Sequence, residues 1–175
     1  VFIAVPCSAQ NMKAGLWEIN NTVKSGDVRM DQAMAMMQEH MAQMSPEQRK
    51  SMEAIMARNG LEMPTVGPNG GMVVKMCMTK EMAARNDVAL QLEGNCTHTK
   101  SPMKGNTIKM SFSCTRPTAS GEGQVTFLSD RAYSMKMRFT TDLGVAPQTM
   151  TMDANGKWLS EDCGSIRPTA APKAN

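Results

Sequence analysis

A chain of 175 residues with a net charge of +3 and 20% charged residues is long enough for one domain with a real core, since a domain of about 150 residues buries roughly two-thirds of its unfolded surface. Its Lys and Arg are interspersed with acids rather than gathered into a stripe, which argues against nucleic acid or an anionic membrane as partner, and 4% aromatic content leaves few stacking platforms for bases or sugars. Twenty methionines supply much of the apolar volume instead, and this is the compositional oddity to explain.

The first residues, "VFIAVPCSAQ", are an apolar run with Pro6 near its end, then Cys7, Ser8 and Ala9, small residues of the kind a signal peptidase reads. The sequence therefore predicts a signal-peptide remnant over 1–9, cleaved after Ala9, and a periplasmic or secreted mature chain. The run is too short to span a bilayer, so no stable membrane insertion is expected. Acylation of Cys7 competes with this reading, but Pro6 stands where lipoprotein signals favour a small residue. Past the signal lie Cys77, Cys96, Cys114 and Cys163. In an exported protein an even count reads as two disulfides, with three possible pairings. No Cys/His spacing of a zinc site accompanies them. The expected pairing joins Cys96 to Cys114 around the turn "SPMKGN" and Cys77 to Cys163, tying the chain's end to its middle; a Cys77–Cys96 link would overturn it.

"GLWEINNTV" alternates Trp17, Ile19 and Val23 with Glu18, Asn20 and Thr22, the period of a half-buried strand. Residues 28–59 then turn to Ala, Met, Gln, Glu, Lys and Arg, a helix composition. Ser45-Pro46-Glu47-Gln48 divides it as a capping box with Pro at the first helical position. Helices over 29–43 and 46–59 are predicted, with Gly60 as the stop. Period two returns at Met72, Val74, Met76 and Met78, at Ile108, Met110, Phe112 and Cys114, at Tyr133, Met135, Met137 and Phe139, and at Met150 and Met152. A short helix, "TKEMAARND", is expected after the third strand, capped by Thr79. Turns are read at Lys104-Gly105-Asn106, at "SGEG", at "LSDR", and at Asp153-Ala154-Asn155-Gly156, taken as a hairpin signal. The tail over 167–175 reads as flexible. The expected fold is mainly β (α+β): a single domain over 10–166, with a curved or barrel-like antiparallel sheet of about six to eight strands and a helical hairpin inserted at about 28–60.

"MKAGLWEI", "SPEQRKSMEAIMARNG", "VKMCMTKEMA", "GNCTHTK", "SGEGQVTF", "YSMKM" and "MTMDANGKWLSEDCG", in that order, resemble an exported proteobacterial domain-of-unknown-function family (DUF family 3617), of which this chain would be a Met-rich member. The resemblance covers nearly the whole mature chain. It implies a secreted, usually periplasmic, disulfide-bonded domain and carries over no catalytic residues.

The stretch "MDQAMAMMQEHMAQM" is the strongest candidate for chemistry. Met30, Met34, Met37, Met41 and Met44 fall within an arc of about 80° on a helix, and Met36, His40 and Met44 form a ladder at its edge, with Met37 one turn before His40. Thioethers with one imidazole suit Cu(I) or Ag(I), which gives Met36, Met37, His40 and Met44 as metal ligands, with Met52, Met56 and Met63 able to complete them. The same stripe also reads as core packing, the use the strands make of methionine. A third reading is an adaptable groove for apolar partners through Met30, Met34, Met41, Met52 and Met56. His98 in "CTHTK" reads as a solvated residue, Gly121-Glu122-Gly123 as a turn rather than a phosphate loop, and Glu161-Asp162 as a solvated turn. Gly15-Leu16-Trp17 resembles the Gly-x-Trp that opens lipocalin barrels, where the Trp plugs one end. With two histidines and no triad or carboxylate pair, no enzyme is expected. The expected role is a non-enzymatic exported binding or envelope-stress protein, with Cu(I) or Ag(I) capture as its sharpest form. The alternative is a barrel-like carrier or chaperone for an apolar ligand or unfolded polypeptide.

Overall fold

Alternate side chains of a strand point to opposite faces, so an apolar residue at every second position lets one face close over a core while the other stays wet. The computed structural model describes residues 11–58, 61–67, 70–88, 95–116, 118–142 and 147–168. The signal remnant over 1–9, the Gly60 stop and the tail beyond 168 lie outside the described residues. The period-two segments form β1 (Gly15–Lys24), β3 (Met72–Met78), β5 (Thr107–Thr115), β7 (Ala132–Asp142) and β8 (Pro147–Ser160), joined by three strands the sequence reading does not mark, β2 (Thr65–Val66), β4 (Cys96–Lys100) and β6 (Thr118–Ser129). Together they make one eight-stranded sheet in the order β2-β3-β1-β8-β7-β6-β5-β4. Every pair of neighbouring strands is antiparallel. The sheet stays open. Closing a barrel requires a partner on both sides of every strand, but β2 offers two residues and pairs with β3, while β4 pairs with β5 at the other end. The fold is thus mainly β, and of the curved or barrel-like forms expected, a closed barrel does not occur.

One face carries the core. Trp17 and Ile19, Met76 and Met78, Ile108, Met110 and Phe112, Val125 and Phe127, and Tyr133, Met135 and Met137 are buried there. Helix α3 (Lys80–Ala84) adds Met82 and Ala83, and residue Met12 closes over the same cluster. The Thr79 hydroxyl caps α3 by accepting from Met82 N–H at 3.1 Å, as its position before the helix predicts. Both tryptophans tie down the incoming chain: Trp17 Nε1 donates to the Lys13 carbonyl (2.9 Å) and Trp158 Nε1 to that of Ala14 (3.0 Å). Lys13 and Arg131 also lie 5.0 and 5.1 Å from the Trp158 ring centre, where a cation is attracted to the ring. Disulfides join Cys77 to Cys163 and Cys96 to Cys114, the expected pairing. Cys96 and Cys114 stand directly opposite one another on β4 and β5.

Two of the expected turns are strand interiors. "SGEG" lies within β6 and Asp153-Ala154-Asn155-Gly156 within β8. Their glycines make room rather than bends. A Cβ on Gly121 would stand 2.6 Å from Phe112 Cε1 and 2.7 Å from Phe139 Cβ, and a Cβ on Gly156 would overlap the Tyr133 ring. Glycine inside a strand marks such a close approach as readily as a turn. The turns at Gly105, where φ is +60°, and at Asp130-Arg131 form as expected.

Between β1 and β2 runs the helical hairpin, α1 (Val28–Ala42) and α2 (Pro46–Arg58). Asp27 caps α1 by accepting from Arg29 N–H at 2.8 Å. Ser45 and Gln48 form the predicted capping box, with the Ser45 hydroxyl accepting from Gln48 N–H (3.3 Å) and Gln48 Oε1 from Ser45 N–H (3.2 Å). Neither helix contains a buried residue. The core-packing reading of the stripe is therefore overturned: Met30, Met34, Met41 and Met44 are half-buried and Met37 is exposed. The core that such a stripe would join is already filled from the sheet, α3 and Met12.

Candidate functional site

Where α3 and the segment over 11–14 leave the inner face uncovered, the structure holds a cavity of about 390 Å³. Its floor is the sheet: Ile19 of β1, Val74 and Met76 of β3, Phe112 of β5, Tyr133 to Phe139 of β7 on alternate residues, and Met152 of β8. Met56 of α2 and Leu61 form the opposite wall. Five strands reach one cavity because antiparallel register sets Ile19 opposite both Val74 and Gly156, and Gly156 opposite Tyr133.

The polar groups are few. Glu62 and Lys75 lie at the rim and pair with each other at 3.0 Å, so they cancel. Tyr133 is different. It is 1% exposed, and burial alone pushes its phenol above the ordinary tyrosine range, so it is a neutral O–H donor at any physiological pH. Its ring lies over Gly156, with its centre 5.6 Å from that of Trp17. No described residue accepts a hydrogen bond from its hydroxyl. Asn21 of β1 is the remaining polar side chain of the lining, and a cavity of this size, apolar with a few placed polar groups, has the make-up of a small-molecule site.

A larger groove of about 920 Å³ runs along the wet face of β5 to β8. It makes a poorer site, because its charges oppose one another across the strands: Glu122 faces Arg138, and Lys136 faces Asp153.

The sequence-predicted residues distribute unevenly around this geometry. Of the groove candidates, Met56 lines the cavity; Met30, Met34, Met41 and Met52 do not, because α1 and most of α2 stand clear of it. Among the metal candidates, Met36 and Met37 are 70% and 56% exposed and His40 is exposed on the same helix. Met44 is off the ladder. The helix stops at Ala42, with Gln43 N–H bonded back to the Glu39 carbonyl, because Ser45-Pro46 follows and the residue before a proline disfavours helical backbone. No cluster of three His, Cys, Asp or Glu side chains able to hold a metal ion occurs among the described residues. His98 is exposed on β4, and Glu161 and Asp162 are exposed beyond β8. Trp17, from the Gly-x-Trp opening, is wholly buried beneath the N-terminal segment. Sequence reasoning placed Tyr133, Phe112 and Phe139 on buried strand faces without assigning them to a site. The available signal was the pair of mid-strand glycines, Gly121 and Gly156, which open space beside these rings.

A family model described as a protein of unknown function (DUF3617) matches residues 12–163. An uncharacterised protein of Pseudomonas putida from the lpd-3 5′ region is 41% identical over 129 residues, spanning 73% of this chain and 85% of its own length. No solved structure matches the chain.

Proposed function

This chain belongs to the DUF3617 family, and we propose that it is a non-enzymatic, exported binding protein that holds a small apolar molecule between the sheet and α2. The observation that carries this reading is the 390 Å³ cavity whose floor is drawn from five strands and whose outer wall includes Met56. Its volume suits a small molecule rather than a length of unfolded polypeptide, which favours a carrier over a chaperone. The two disulfides support a periplasmic or secreted setting. Methionine at the wall supports tolerance of ligand shape, because its flexible thioether repacks easily.

The test is a titration of the whole chain, purified from an oxidising compartment, with the neutral fluorophore N-phenyl-naphthylamine. Saturable fluorescence enhancement is expected, weakened in Met56→Asp, which puts a charge on the cavity wall without touching the buried core. A wild-type protein that gives no saturable signal would sink the reading. Native mass spectrometry of protein taken from its own periplasm would identify the resident ligand.

A second reading is Cu(I) or Ag(I) capture, favoured by the exposure of Met36, Met37 and His40 together on α1 with no packing role. Thioether and imidazole are ligands these ions prefer. Anaerobic Cu(I) titration against a competing chelator tests it: affinity should fall in His40→Ala and Met37→Leu, and binding that survives both changes disposes of the site.

A further inference from the structure

We infer that the cavity selects an uncharged apolar molecule carrying one carbonyl oxygen, and that the Tyr133 hydroxyl is the donor that recognises it. This rests on the proposed carrier function and names the ligand class.

Leaving an O–H unbonded in an apolar setting is costly, so buried tyrosines normally find an acceptor. Tyr133 is buried, lines the cavity, and donates to no described residue. The local sequence maintains this arrangement. Gly156 is the residue opposite Tyr133 on β8, and only a glycine there lets the ring lie flat across the strand. That places the phenol over β8 on the side of β1, where Ile19 lines the same cavity and Trp17 packs against the ring. The glycine thus admits an aromatic ring whose polar end serves no fold-stabilising bond.

The charge of the ligand follows from the other polar groups. Lys75 is the cation at the rim, and its ammonium is already engaged by Glu62 at 3.0 Å. A carboxylate carried into the cavity would lose its hydration without gaining an ion pair, which is strongly unfavourable. A neutral ketone or ester oxygen needs only a single donor. Of the two uncharged polar side chains in the lining, Asn21 is half-buried and Tyr133 is buried, so Tyr133 provides it, and the methionine, valine and phenylalanine side chains take the hydrocarbon.

Competition with bound N-phenyl-naphthylamine separates the possibilities, using decyl methyl ketone, dodecane, which has the same number of carbons, and dodecanoate. In the wild-type protein dodecanoate should bind more weakly than the ketone, and the ketone-to-dodecane affinity ratio, which already includes the hydration the carbonyl gives up on entry, is the reference for the variant. In Tyr133→Phe the ketone-to-dodecane ratio should fall about tenfold, the worth of one hydrogen bond made in a dry site, and the carbonyl stretch of bound ketone should lose the shift to lower frequency that a hydrogen bond produces. A ratio unchanged in Tyr133→Phe, or a bound ketone whose carbonyl stretch in the wild-type protein shows no shift to lower frequency even if the variant failed to fold, would overturn the inference while leaving the carrier function intact. So would tighter binding of dodecanoate, which would mean that a charged headgroup is read elsewhere. Failure of all three compounds to displace the fluorophore would overturn both the inference and the carrier reading.

Discussion

The sheet strands and the helical hairpin each carry eight methionines, and the two regions use them in different ways. In the sheet, Met76, Met78, Met110, Met135 and Met137 are buried; in the hairpin no methionine is. The same side chain, with the same hydrophobicity, is core in one region and half-wet surface in the other. The difference comes from neighbours. A central strand residue is walled in by the strands on both sides and by α3 and Met12 above, while of the hairpin methionines only Met56 lines the cavity against the sheet. Methionine content therefore reports apolar volume, and topology decides where that volume is used.

Removing the Cys77–Cys163 bond should produce the largest effect. Its ends are 86 residues apart, and the chain-entropy model gives a loop of that size about 4 to 5 kcal/mol. The Cys96–Cys114 bond, with a separation of 18, should contribute about 3 kcal/mol. Urea melts of the two Cys→Ser double variants should show that order. Both bridges lie outside the hairpin, so the helical signal of α1 and α2 should be affected less than the near-ultraviolet signal of Trp17 and Trp158.

The comparison breaks if equivalent truncations in the two regions have equal effects. Met135→Ala, at 4% exposure, should destabilise the protein by about 2 to 4 kcal/mol through lost burial and a cavity. Met37→Ala, at 56% exposure, should fall within about 0.5 kcal/mol of wild type. Equal losses would mean that the hairpin packs on a core in solution.

Tyr133→Phe carries a change of the opposite sign. In the empty protein it removes a hydroxyl that bonds to no described residue, so it should raise stability by about 1 kcal/mol. Excess ketone should reverse the ranking, because ligand stabilises the state that binds it more tightly. A destabilised empty Tyr133→Phe would indicate that the hydroxyl has an acceptor in the folded chain.

Five strands were legible because burial on one face writes period two into β1, β3, β5, β7 and β8, from Trp17-Ile19 to Met150-Met152; β2 and β4 are too exposed to carry that pattern, and the glycines of β6 mask it. The helix limits were legible within about two residues from caps that act locally, Ser45 with Gln48 and Thr79 before α3. Two things were not. Glycine carries two meanings in a strand, and at Gly121 and Gly156 the meaning depends on rings contributed by other strands, which no local pattern states. The stripe from Met30 to Met44 has a helical period that is the same whether it faces a core, a ligand or water. The candidate cavity was illegible for a related reason: Ile19, Val74, Phe112, Tyr133 and Met152 are scattered across the chain and meet only through the strand order, in which β1 lies between β3 and β8.

The smallest expected effect concerns what holds the hairpin in place of a core. Asp31 Oδ1 accepts from Ser25 N–H at 2.8 Å and from the Ser25 hydroxyl at 2.8 Å, tying the first turn of α1 to the end of β1. These bonds, first the backbone one and then the hydroxyl, with help from Lys24, hold the Asp31 carboxyl below its ordinary value of 3.8. A carboxyl lowered in the folded state favours folding only while it is ionised. Its contribution is therefore fully present above the unfolded value, and it fades as pH falls below about 3.8 through the lowered folded value. Because the carboxyl's hydrogen bonds run only to Ser25, the effect should be confined to the first turn of α1. Carboxyl-carbon NMR should show Asp31 titrating below the ordinary aspartate value, and the amide of Ser25 should lose its exchange protection in the same pH range. Asp31→Asn should remove the pH dependence while leaving the sheet amides unchanged. An Asp31 that titrates like a free aspartate would show that the joint between the first turn of α1 and the end of β1 is open.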